Sequence, residues 1–388
     1  MYNVLDYGVV SDGKLLQTEA VQKVLDMCRK NGGTVVFPAG KYLISSVRMR
    51  SDTTILLKSG AILLGSEECD DYEVFEIPKG VELRTDMELI PQQYKFKPWK
   101  EYRRAMISAF GEKNISVIGE PGSVIDGQNC FDPNGEEGYR GPHGMFITNC
   151  ENVVMRGYTI QHSGNFMHQL DKCDHVVMED VTNLGASDGI HLHCCTDILI
   201  NRCIFRTGDD CIAGINIRDL HVNNCVLNTS CNVFRMGGVN ILVENCHVYG
   251  PGYYPHRMTI VKSRTEILPR EEGRHNMLSL LNFFASETFP AEEHSHNIVF
   301  KNMIIENLGY LLEYYADSSS CLQKGDRLQE LVFDNVLFKD LVKKCEVIAP
   351  TEEPLHVKLR NVTVQFADGS SDAEFFKGDL RNVIIENF

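Results

Sequence analysis

His175-Val176-Val177-Met178, Asp197-Ile198-Leu199-Ile200, Asp219-Leu220-His221-Val222 and Asn240-Ile241-Leu242-Val243 are copies of one phrase. Each opens on a polar residue, continues with three mainly apolar ones, and runs on into polar residues and further β-formers. The steps between them are 22, 22 and 21 residues (197 − 175, 219 − 197, 240 − 219). Asn152-Val153-Val154-Met155 stands 23 residues before the first (175 − 152), and a still earlier copy opens at Asn114. Later copies open at Asn297, Glu330, His356 and Asn382 at looser intervals, which predicts insertions between them. A period in the low twenties, made of short β-rich segments and Asn/Gly turns, is the signature of a β-solenoid. Leucine-rich repeats share the period, but their Leu-x-x-Leu-x-Leu skeleton and asparagine ladder are missing.

In a β-solenoid each coil lays its strands on those of the coil before, about 4.8 Å away, so equivalent positions stack in columns. Cys150, Cys173 and Cys195 fall in one such column, and Cys203, Cys225 and Cys246 in another. These thiols are expected as small apolar filler inside the coils, not as metal ligands. An open solenoid end exposes sheet edges and needs a cover. Thr18 to Arg29 has helical periodicity, with Ala20, Val21, Val24, Leu25 and Cys28 on one face and Asn31-Gly32-Gly33 as the stop. It is expected as the N-terminal cap. The chain, residues 1–388, thus reads as one all-β domain, with a cap region over 1–45 and long loops over 67–104 and 253–274 at the edge of a binding face.

The totals narrow the function. The chain has 388 residues, 43% of them hydrophobic, and a formal net charge of −15. With no basic stripe to neutralise phosphates, nucleic acid and anionic membrane are excluded as partners. No stretch reaches the apolar length of a membrane span. Neither a basic n-region nor an apolar run opens the sequence, and none of the 14 cysteines forms a Cys-x-x-Cys pair. A cytoplasmic location is therefore expected, or a secreted one where a leader has been removed. Neither a cofactor nor a metal is expected. The oligomeric state stays open.

The densest chemistry lies between Asn183 and Cys211: Ala186-Ser187-Asp188-Gly189-Ile190-His191-Leu192-His193, then Thr207-Gly208-Asp209-Asp210-Cys211. Asp188 and Asp209 are 21 residues apart, about one coil, so the three carboxylates should meet on adjacent coils. Like charges raise the pKa of at least one of such a group. That supplies a protonated carboxyl beside ionised ones, the division of labour that glycoside hydrolysis uses. Two other readings stand beside it: acidic turn residues next to glycine, and a calcium site. His191 and His193 alternate with Ile190 and Leu192, which turns both imidazoles away from the core and, if Asp188 faces the groove, toward the groove. Their spacing also suggests zinc, but a further aligned ligand is missing. Tyr314, Tyr315 and Trp99 are candidates for stacking on a sugar ring or for packing at the rim.

The sequence resembles glycoside hydrolase family 28, the polygalacturonase family. The likeness rests on Asn3-Val4-Leu5-Asp6-Tyr7-Gly8, on Gly32 to Tyr42, on Ile125-Asp126-Gly127-Gln128, and on an intact Gly208-Asp209-Asp210. The family's Asn-Thr-Asp is reduced to the Asp of Ala186-Ser187-Asp188. The resemblance implies a right-handed parallel β-helix. It also implies an inverting hydrolase of pectin-like or rhamnogalacturonan-derived oligo- or polysaccharide, with Asp209 as general acid and Asp188 and Asp210 as the bases that activate water. Two family features are absent. Ser230-Cys231-Asn232 stands where Gly-His-Gly is usual, and Asn276 to Leu281 carries no Arg-x-Lys to hold a uronate. Arg235, Arg257 and Lys262 are the candidate substitutes for those cations. A lyase on the same fold, needing a basic residue and usually calcium, and a non-catalytic glycan-binding solenoid are the competing readings.

Overall fold

The computed structural model describes residues 1–76, 79, 103–132, 140–257, 273–286, 290–316, 323–343, 345–370 and 380–388. The polar residue that opens the repeated phrase has a backbone task. Asn114, Asn152, His175, Asp197, Asp219, Asn240, Asn297 and Asn382 all have φ between 51° and 59°. This left-handed conformation costs most residues, while Asn, Asp and His tolerate it better because short polar side chains bond locally. It turns the chain into the next strand. Stacking then aligns the side chains: Asn152 Nδ2 donates to Asn114 Oδ1 at 2.8 Å, and Asn240 Nδ2 to Asp219 Oδ1 at 2.8 Å. A second ladder runs through Asn245, Asn302, Asn335 and Asn361. The copies at Glu330 and His356 lie inside strands and keep only this second turn, at Asn335 and Asn361. The solenoid therefore has asparagine ladders of its own, on its exposed turns.

Each full coil contributes to three parallel sheets. The first stacks Thr53–Leu57, Lys113–Gly119, Glu151–Arg156, Asp174–Glu179 and Thr196–Asn201. The second stacks Ala61–Gly65, Val124–Asp126, Thr159–Gln161, Thr182–Gly185, Ile204–Thr207 and Val226–Thr229. The third stacks Ala105–Phe110, His143–Thr148, His168–Asp171 and Ile190–His193, then the opening residues of Ile212–Asn223 and Asn232–Glu244, then Ser279–Phe283. Parallel strands joined in one direction turn right-handed, so the chain is a right-handed parallel β-helix. Inside it, Val153, Val176, Ile198, Leu220, Ile241, Ile298 and Leu331 form one buried column. The two cysteine columns also lie in this interior, as free thiols.

The helix Thr18–Met27 buries Val21, Val24 and Leu25. It covers a sheet edge by direct bonding: Gln22 Oε1 accepts from Arg48 N at 2.7 Å, and its Nε2 donates to Arg48 O at 3.1 Å. Of the aromatic candidates, Tyr314 is part of the core. It is fully buried, edge-on to Phe283 at 5.1 Å, with its hydroxyl accepting from Leu328 N. Leu312 and Tyr314, on either side of Glu313, both face inward and are fully buried, so Tyr314 cannot reach a sugar. Tyr315 points the other way and donates to Glu346. Trp99 and Lys262 lie outside the described residues.

Candidate active site

The third sheet carries the site, on the outward side of its strands. Its register puts Phe166, Asp188, Asp210, Asn232 and Ser279 in one column, the first three two residues before their strands and the last two at the first residue of theirs. The ladder bonds continue through it, with Met167 N donating to Asp188 O at 3.0 Å and Gly189 N to Asp210 O at 2.9 Å. The strict equivalents are therefore Asp188 and Asp210, one coil apart, with Asp209 one position ahead. Oxygens of the three carboxylates lie within 4.8 Å of one another, and all three residues are buried. Two glycines make this possible. A Cβ at Gly208 would stand 2.0 Å from Pro255 O and 2.7 Å from Ala186 O; one at Gly189 would stand 2.5 Å from Cys211 O. The carbonyl of Asp209 is pinned by two threonines, accepting from Thr207 Oγ1 at 2.6 Å and Thr229 Oγ1 at 2.5 Å.

Each carboxylate has its own partners. Asp188 Oδ2 is 2.6 Å from His191 Nε2, and His191 Nδ1 is 3.3 Å from His193 Nε2. Burial, with Asp209 and Asp210 alongside, pushes the Asp188 carboxyl well up. Burial and then His193 push His191 well down. Asp210 Oδ1 accepts from Asn232 N at 3.1 Å and Nδ2 at 2.8 Å, and Ser279 Oγ fixes Asn232 Oδ1 at 2.7 Å. Burial and the Asp209 charge push Asp210 up as well. Asp209 is the exception. Burial alone would raise it, but the charge and hydrogen bond of His256, aided by Arg140, hold it well below the usual carboxylate range. His256 Nε2 is 3.5 Å and Arg257 Nε 2.8 Å from Asp209 Oδ2, while Arg257 Nη1 is 3.4 Å from Asp188 Oδ1.

The candidate binding residues divide accordingly. His191 and His193 do face outward from the core, yet they are only 5% and 2% exposed. His191 stacks face to face on Phe166, with centroids 3.8 Å apart, so it backs Asp188 instead of meeting solvent. Arg257 is buried against the acids as their counter-charge. Arg235 keeps 28% of its side chain exposed, lies over the Phe284 ring at 4.5 Å, and reaches to 3.8 Å from Asp210 Oδ2. Among the described residues two donor sets lie close enough for a metal, Asp188/Asp209/Asp210 and Asp209/Cys231/His256. Both share Asp209, which already has Arg257 against it, so a divalent cation would meet a resident positive charge. Phe166 and Asn232 were within reach of the sequence, one coil before Asp188 and one after Asp210. His256, which the phrase period does not index, belongs to the inserted 253–274 stretch. Arg140 likewise lies outside the repeated phrase, and its guanidinium is 5.3 Å from the Phe166 ring.

A family model described as "Glycosyl hydrolases family 28" matches residues 75–237, a range holding all three carboxylates and Arg235. A second, "Rhamnogalacturonase A/epimerase, pectate lyase-like", matches residues 1–69. A probable polygalacturonase of Vitis vinifera is 24% identical over 234 residues, covering 54% of this chain and 43% of that protein. The exo-poly-alpha-D-galacturonosidase of Dickeya chrysanthemi is 31% identical over 135 residues, 34% of this chain and 19% of that one. The chain thus spans less than half the length of either relative. In fold it is similar to the polygalacturonase of Erwinia carotovora, with a TM-score of 0.67 at 15% identity over 97% of this chain and 95% of that one. A β-helix of this register, with Gly208-Asp209-Asp210 opposite Asp188 inside the matched range, resembles glycosyl hydrolases family 28 over residues 75–237.

Proposed function

We propose that this protein hydrolyses a glycosidic bond, with inversion, in a pectin-like or rhamnogalacturonan-derived oligosaccharide. The observation that carries the reading is the meeting of three buried carboxylates from adjacent coils, with oxygens within 4.8 Å of one another. Asp209 is the general acid, and Asp188 and Asp210 hold and deprotonate the water. The ionised state of Asp209 in the free site gives His256 a role. The pair shares one proton, which Asp209 passes to the leaving oxygen as the C–O bond breaks. The proton of the attacking water goes to the Asp188/Asp210 side. Arg235, the partly exposed guanidinium beside the acids, is the cation for a substrate carboxylate.

The test is product analysis on a panel of pectic oligosaccharides, with the first-formed anomer read by NMR. The inverted reducing sugar is expected. An unsaturated product absorbing in the ultraviolet would replace hydrolysis by elimination, and binding without turnover would remove catalysis altogether. His256→Ala checks the proton sharing. Without the imidazole Asp209 must carry the proton itself, although Arg140 still lowers it. The high-pH limb of kcat is then expected to move to lower pH, with a drop of about 10²-fold at neutral pH. An unmoved limb rules the pair out.

A further inference from the structure

Among the described residues most thiols are buried, six of them in the two interior columns, where an oxidant cannot reach them. Cys69 and Cys130 are placed differently. Their sulfurs are 3.1 Å apart, although 61 residues separate them. A disulfide needs about 2.05 Å, so a shift of about 1 Å brings them to bonding distance. Cys69 is partly exposed, in the short turn Cys69–Asp71, and Cys130 is buried behind it. The two segments clasp each other reciprocally: Cys69 Sγ is 3.3 Å from Phe131 O, and Cys130 Sγ is 3.4 Å from Glu67 O. Among the described residues Cys194 is the other partly exposed cysteine, and it faces Asn216.

We infer that Cys69 and Cys130 form a redox-responsive pair, closed to a disulfide by a small-molecule disulfide. The exposed Cys69 thiolate attacks the reagent, forming a mixed disulfide and releasing one thiol. Cys130 then attacks Cys69 Sγ and releases the second. Two protein thiols and one reagent disulfide become one protein disulfide and two reagent thiols, so the electrons balance. The link staples the segment that follows Ser66 to the turn after Asp126. That segment carries Phe75, which packs on Phe110 at 5.4 Å; Phe110 packs on Phe146 at 5.9 Å. His143 bridges Phe146 and Phe166, and Phe166 lies on His191. Oxidation thus tethers the outer end of the aromatic wall whose inner end backs Asp188.

The experiment incubates the intact protein with glutathione disulfide, alkylates free thiols, and maps peptides by mass spectrometry beside thermal denaturation. The expected result is one cross-link joining the Cys69 and Cys130 peptides, reversed by dithiothreitol. It should raise Tm by about 5 °C, because the closed loop restricts the unfolded chain. The rise should vanish in Cys69→Ser and in Cys130→Ser. Both cysteines alkylated at full oxidant, a stable glutathione adduct on Cys69, or a Tm rise that persists in Cys69→Ser each overturn the assignment.

Discussion

Asp209→Asn is expected to lower kcat by about 10³-fold, the range of a lost general acid, while the protein stays folded. The amide keeps the shape, and the Asp209 carbonyl stays pinned by Thr207 and Thr229. What disappears is the oxygen that His256 and Arg257 face. The same substitution has a pH signature in stability. The folded carboxyl of Asp209 is held below its unfolded value, so its ionised form stabilises the fold above the unfolded pKa of about 4. That contribution fades as pH falls through the folded pKa. The variant lacks it throughout, so its Tm should lie below wild type at pH 7, and the gap should close in acid. Kinetics with thermal denaturation at pH 7 and below pH 4 reads both effects. Retained hydrolysis at pH 7 would take the acid role away from Asp209.

Phe333→Ala is expected to destabilise the protein by about 3–5 kcal/mol, the range for emptying a large aromatic site in a core. Phe333 is fully buried. It stacks on Phe300 of the previous coil at 5.3 Å and 12°, and meets Phe338 edge-on at 5.8 Å. Solenoid coils contact only their neighbours, so the loss should stay local instead of dissolving the whole molecule at once. Hydrogen exchange should quicken first in Glu330–Leu341 and Leu355–Phe366, while Ile190–His193 stays protected. Activity at low temperature is expected to hold, since the acids lie several coils away. A uniform rise in exchange along the chain would contradict nearest-neighbour coupling.

The two predictions draw on opposite kinds of legibility. The columns behind Phe333 and Phe300 follow from the phrase period, because stacked strands repeat their inward positions each coil. The partners of Asp209 do not follow from it. His256 and Arg257 come from an insertion, whose length breaks the period and whose path depends on what it packs against. His256 therefore has no sequence address, although Cys231 does stand beside Asp209 as the register requires. His191 and His193 show a further limit. Alternation set their direction correctly, but not their burial, because Phe166 covers His191 from a neighbouring coil.

By itself the sequence determined the solenoid, its left-handed turn residues, its inward columns and the meeting of Asp188 with Asp209 and Asp210. All of these are periodic, and a period is local information repeated. Only the tertiary structure decided which acid is held ionised, which guanidinium is spent on the acids and which stays partly exposed, and which aromatic ring is core. Those outcomes depend on distances between segments without a common period, and on the burial that sets how strongly charges act on one another.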